Sequence, residues 1–143
     1  MATSNAATNY LERRLLHFIF KSNSLSFSSP GDGIYVGLAT AVSAAETGSL
    51  TEATFTNYAR QQVTAANWTT ISADSTDTQT VKNAANIEFP SSGGTDNTIT
   101  HAFIADASSD GNILFVGELD ASKTVSSGDI FRINTNDLTI ELK

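Results

Sequence analysis

Cysteine is absent from the 143-residue chain, which excludes a disulfide framework, a thiolate zinc site and a cysteine nucleophile. Charge is also scarce: 16% of residues are charged, against about 25% in an ordinary globular domain. What charge there is lies mostly on one side, with 8 Lys and Arg against 15 Asp and Glu and a formal net charge of -7. A nucleic-acid backbone is therefore an unsuitable partner, because phosphate binding needs a cationic footprint. No stretch approaches the roughly 20 apolar residues of a membrane span, so no membrane partner is expected. The first ten residues carry no Lys or Arg and the apolar run after them is short and broken by charges, unlike a secretory leader. The chain is expected to act where it is made or to travel as part of something larger.

What is present in abundance is hydroxyl and amide: Ser, Thr and Asn fill about a third of the positions. A chain of this length favours a single domain, here spanning 1–143, and can bury about two-thirds of its unfolded surface. One segment reads as a helix, Asn9 to Lys21, with Asn9 placed to cap it and Glu12 three residues on to reach back. At about 100° per residue, Leu11, Leu15, Phe18 and Ile19 share a stripe suited to burial against the protein's own body, opposite Arg13, Arg14, His17 and Lys21. Leu16 and Phe20, an i,i+4 pair, fall on the flank between those faces and make the apolar surface wider than one core contact requires. Arg13, Arg14, Leu16, Phe20 and Lys21 are accordingly the candidate interface residues, the cations orienting a dock onto an acidic neighbour. The Ser-rich segment ending Ser-Pro-Gly-Asp-Gly stops the helix.

From about Gly33 the pattern changes to short β-branched and aromatic runs between Gly, Asp, Asn and Ser clusters. Strands are predicted at about Ile34–Ala39, Arg60–Thr64, Trp68–Ile71, Asn86–Phe89, Ile99–Asp106, Asn112–Leu119, Asp129–Ile133 and Leu138–Leu142. Residues 41–57 and 72–80 read as long loops. Ile99, His101, Phe103 and Ala105 alternate onto one face, as do Leu138, Ile140 and Leu142. The predicted fold is mainly β: a single antiparallel β-sandwich or jelly-roll-like barrel with one N-terminal amphipathic helix. Asp110-Gly111 suits a hairpin centre, where positive φ is needed.

Chemistry-bearing motifs are missing. His17 and His101 have no nucleophile partner legible in the sequence. There is no Gly-x-Ser-x-Gly elbow, no His-Glu-x-x-His pair and no phosphate-cradling loop. Asp106, Ser108, Asp110 and Gly111 follow the opening spacing of a calcium loop, but Gly117 stands where the closing bidentate Glu belongs, so a solvated hairpin turn is expected there. Trp68 and Tyr58 have the chemistry of a sugar-stacking platform, with core packing as the plainer reading. No catalytic residue, cofactor or resident metal is expected, and the chain reads as a non-enzyme.

Seven segments occur in a distinctive order: Ala7–Leu16, Ile34–Thr40, Tyr58–Thr64, Asn86–Pro90, Thr100–Asp106, Gly111–Leu119 and Ser122–Asp129. Together they resemble a family of small virion proteins of tailed bacteriophages whose members carry tail-fibre labels, and whose compact β architecture is similar to that of capsid cement, or decoration, proteins. The resemblance implies a non-enzymatic virion structural protein assembled in the host cytoplasm. It implies a capsid cement protein bridging coat subunits or, alternatively, a tail-fibre component or glycan-binding receptor module. The implied partners are the major capsid protein or other virion proteins and further copies of the chain, with a trimer expected from the cement proteins.

Overall fold

The computed structural model describes residues 5–21, 33–71 and 78–142. Of these, 45% lie in strands and 13% in helical turns, and the single α-helix stands near the N-terminus. The strands are β1 (Ala6–Ala7), β2 (Tyr35–Ala44), β3 (Ser49–Glu52), β4 (Gln61–Gln62), β5 (Gln79–Lys82), β6 (Ile87–Glu88), β7 (Asn97–Ala105), β8 (Ile113–Val125), β9 (Arg132–Ile133) and β10 (Thr139–Leu142); the helix α1 is Asn9–Lys21.

A six-stranded antiparallel sheet, curled into a half-barrel, runs in the order β1-β8-β7-β2-β3, with β4 also on β2. Two ribbons, β5 with β10 and β6 with β9, complete the sandwich-like body. Period-2 alternation dictates which residues meet. Val36 and Leu38 of β2 stand opposite Ile104 and Ala102 of β7, and all four belong to the main core with Ile87, Phe89, Phe131 and Ile133 from the β6–β9 region. The other side of the sheet carries a smaller cluster of Ala39, Ala45, Phe103, Ala105 and Val116. Both faces of the central strands are therefore covered, which explains why β7 is buried almost continuously from His101 to Ala105.

Several expectations are corrected. Ile99 does not share a face with His101, Phe103 and Ala105. Between Ile99 and His101 the partner on β8 jumps from Lys123 to Glu118, and this bulge turns Ile99 into the main core with Ala102 and Ile104. Trp68–Ile71 is no strand; a 3-10 turn at Ala65–Asn67 leads to an isolated bridge between Trp68 and Asn83. Residues 41–57 are not a continuous loop, because β2 extends to Ala44 and β3 follows. Of 72–80, residues 72–77 lie outside the described residues, and Gln79 already belongs to β5. β1, β3 and β5 escaped prediction for one reason: as two-residue or single-large-apolar edge segments they carry almost no alternation, and pairing is supplied by the neighbouring strand.

The hairpin between β7 and β8 forms as predicted at Asp110 (φ 51°) and Gly111 (φ 69°). Its carboxylate does local work: Asp106 Oδ1 accepts the Asn112 backbone N–H at 2.7 Å and Oδ2 accepts the Asn112 side-chain N–H at 2.8 Å.

Candidate functional site

The helix is the feature that sequence and structure describe most differently. Its N-cap is Thr8, not Asn9. The buried Thr8 hydroxyl accepts the Leu11 N–H at 3.4 Å and donates to the Ile113 carbonyl at 2.6 Å, while its own N–H reaches the Leu114 carbonyl at 2.9 Å. Asn9 is the first helical residue, and its backbone N–H bonds the Glu46 carbonyl at 2.7 Å. The first turn is thus fastened to β8 and to the loop after β2, with Tyr10 and Leu11 packed on the main core.

Beyond that turn the expected orientation is reversed. No residue of α1 is buried, and the half-buried positions are Tyr10, Leu11, Arg14 and His17. Of the stripe predicted for the protein's own core, only Leu11 reaches it; Leu15, Phe18 and Ile19 are 44%, 52% and 57% exposed. Leu16 and Phe20 are exposed as expected, at 57% and 73%. Arg13 and Lys21 are exposed too, whereas Arg14 lies over the Tyr10 ring at 5.2 Å. Amphipathic periodicity located the apolar face correctly but not its partner, because periodicity carries no information about which surface the face meets. Five large apolar side chains consequently stand together on two turns of helix, more than a monomer ordinarily leaves uncovered in one patch.

The other candidate residues are absorbed by structure. Tyr58 stacks on Phe89 at 6.1 Å and meets Phe55 edge-on at 5.3 Å. Its hydroxyl donates to Glu52 at 2.8 Å and accepts the Leu38 N–H at 2.9 Å. The plainer core reading holds for it, since it lies partly buried against the main core. His101 is buried, with Nδ1 2.8 Å from the Thr100 hydroxyl. Glu52 also takes a two-pronged contact from Arg60, Nε to Oε1 and Nη2 to Oε2, each 2.8 Å. Burial alone would raise the Glu52 pKa, but the hydrogen bonds from Arg60 and Tyr58 and the Arg60 charge outweigh it and hold the carboxyl below its ordinary value. Burial, and next the Glu52 carboxylate, push the Tyr58 phenol well above the ordinary tyrosine range, while the Leu38 N–H pulls the other way. The remaining Arg60 nitrogen donates to the carbonyls of Ala107 and Asp110, so this cluster latches the β7–β8 hairpin to the body.

A second surface was not foreseen. A groove of about 870 Å³ is lined by residues of β1, β7 and β8 and by the segments around β9 and β10. Among the described residues no group of three or more His, Asp or Glu side chains is placed to hold a metal ion.

Residues 6–141 match the model of one family, the Podophage GP4 fiber I protein gp80. The chain belongs to that family. It is a phage fibre-related structural protein of the virion, which agrees with the resemblance in the ordered segments. No curated protein matches the chain.

Proposed function

We propose that this family member is a non-enzymatic module of a tail fibre, joined to its neighbours in the particle through the exposed apolar face of α1. The observation that carries the reading is the outward-facing set Leu15, Leu16, Phe18, Ile19 and Phe20 on a helix whose first turn is firmly anchored. Burying a large apolar side chain contributes about 1.5–3 kcal/mol, so even part of this set supplies an attachment energy that dwarfs that of a surface ion pair. The family name supports the fibre as the location. A capsid cement role bridging coat subunits would use the same helix, and abundance separates the two.

Quantitative mass spectrometry of purified particles tests the location: a fibre module is expected at the low copy number of the tail appendages, and a count matching the coat protein would assign it to the capsid surface instead. Incorporation of Leu16→Ala/Phe20→Ala protein into particles tests the attachment. Loss of incorporation with the fold intact is expected, and normal incorporation would remove the helix from the interface. Hydrolysis of host surface glycans by the purified protein would overturn the non-enzymatic reading.

A further inference from the structure

The apolar helix and the groove along β8 are complementary, and we propose that α1 of one copy docks in the groove of a second copy. The inference rests on the structural role proposed above and names the partner of α1.

β1 covers β8 only at Phe115 and Val116, after which Asn5 Oδ1 accepts the Glu118 N–H at 2.6 Å. Past that point the outer edge of β8 has no strand beside it among the described residues. Leu119 and Ile140 give the groove an apolar lining. Its charged residues are mainly acidic: Glu118, Asp120, Asp137 and Glu141 against Lys123 and Arg132, the last already paired with Glu88.

The helix offers the opposite character. Arg13 and Lys21 flank its exposed apolar residues, and with Arg14 they make three of the 8 cations in a chain of net charge -7. Two such chains repel overall, so a stable contact between them has to bring the basic helix onto an acidic surface. The helix cannot serve its own groove in this conformation. Thr8 and Asn9 fix its base to Ile113, Leu114 and Glu46, and its apolar residues are those left exposed by the packing of Tyr10 and Leu11. The contact is therefore made in trans and joins two different patches, helix to groove, the type of interface that closes rings or propagates.

Sedimentation velocity on the full chain tests this with two variants that keep complementary halves of the contact: Leu16→Glu/Phe20→Glu, with a defective helix, and Asp120→Lys/Glu141→Lys, with a defective groove. All four positions are exposed, and circular dichroism checks that each variant folds. The wild-type chain is expected to self-associate, and each variant to weaken self-association at least tenfold. An equimolar mixture of the two is expected to form a heterodimer and nothing larger, since only one intact helix and one intact groove remain to meet. A wild-type chain that stays monomeric at high concentration, or folded variants that fail to pair on mixing, would overturn the proposal. If either result accompanies loss of the helix variant from particles, attachment through α1 stands and its partner is another virion protein.

Discussion

Gly37 faces Phe103 directly across the β2–β7 ladder, and the Phe103 ring occupies the space that a side chain at Gly37 would need. A Cβ there would lie 2.7 Å from both Cε atoms of the ring and closer still to its tip. Arg60 covers the same ring, its guanidinium carbon 5.1 Å from the centroid. The glycine thus leaves room for the tip of the aromatic ring within the small second core, where the Arg60 latch crosses it.

Replacing Gly37 by Ala is expected to cost about 1–3 kcal/mol, the usual range for forcing an extra methyl into a packed core. Thermal unfolding checks it. Phe103→Leu in the same chain should recover part of the loss, and simple additivity of the two changes would show that ring and glycine are not coupled.

Arg60→Ala should be among the most damaging single changes. The Arg60 side chain is only 5% exposed, and its removal takes two of the donors from the Glu52 carboxylate, leaving the Tyr58 hydroxyl, and takes the Arg60 donor from two hairpin carbonyls. A loss of about 3 kcal/mol is expected from denaturant unfolding. Arg60→Lys, which keeps the charge but not the two-pronged geometry, should lie between that variant and the wild type.

The same carboxylate gives the protein an acid limb. Because the folded pKa of Glu52 is depressed, its contribution is fully present above the unfolded value of about 4.3 and is lost as pH falls through the folded value. Glu52→Gln should therefore be less stable than wild type near neutrality, and the gap should narrow as the medium is acidified below that range. A gap independent of pH would mean that the charge of Glu52 contributes nothing. At the alkaline end the sign is opposite for Tyr58, whose raised pKa makes the folded state hold its proton while the unfolded chain releases it above about pH 10, so that stability falls.

Thr8→Ala removes the helix cap and the bond to the Ile113 carbonyl together, and about 1–2 kcal/mol is the expected loss. By contrast, Leu16→Ala/Phe20→Ala should change monomer stability by no more than about 0.5 kcal/mol, since both side chains face solvent. A large drop in melting temperature for that double variant in a monomeric sample would show that the pair belongs to the protein's own core.

The sequence by itself determined the class of fold, the limits of α1 and the Asp110-Gly111 turn, because periodicity and positive-φ preference act over a few neighbouring residues. It also located an apolar face on the helix and cations beside it. Tertiary structure alone decided that Leu15, Phe18 and Ile19 point outwards, since that depends on how Thr8, Tyr10 and Leu11 fasten the first turn to β8. It also decided the faces of β7. Alternation places Ile99 with His101, and only the partner strand, which gives way between Glu118 and Lys123, turns Ile99 into the main core. Likewise the groove is lined jointly by Ala6, Leu119, Arg132 and Ile140, residues far apart in the chain that no local pattern brings together.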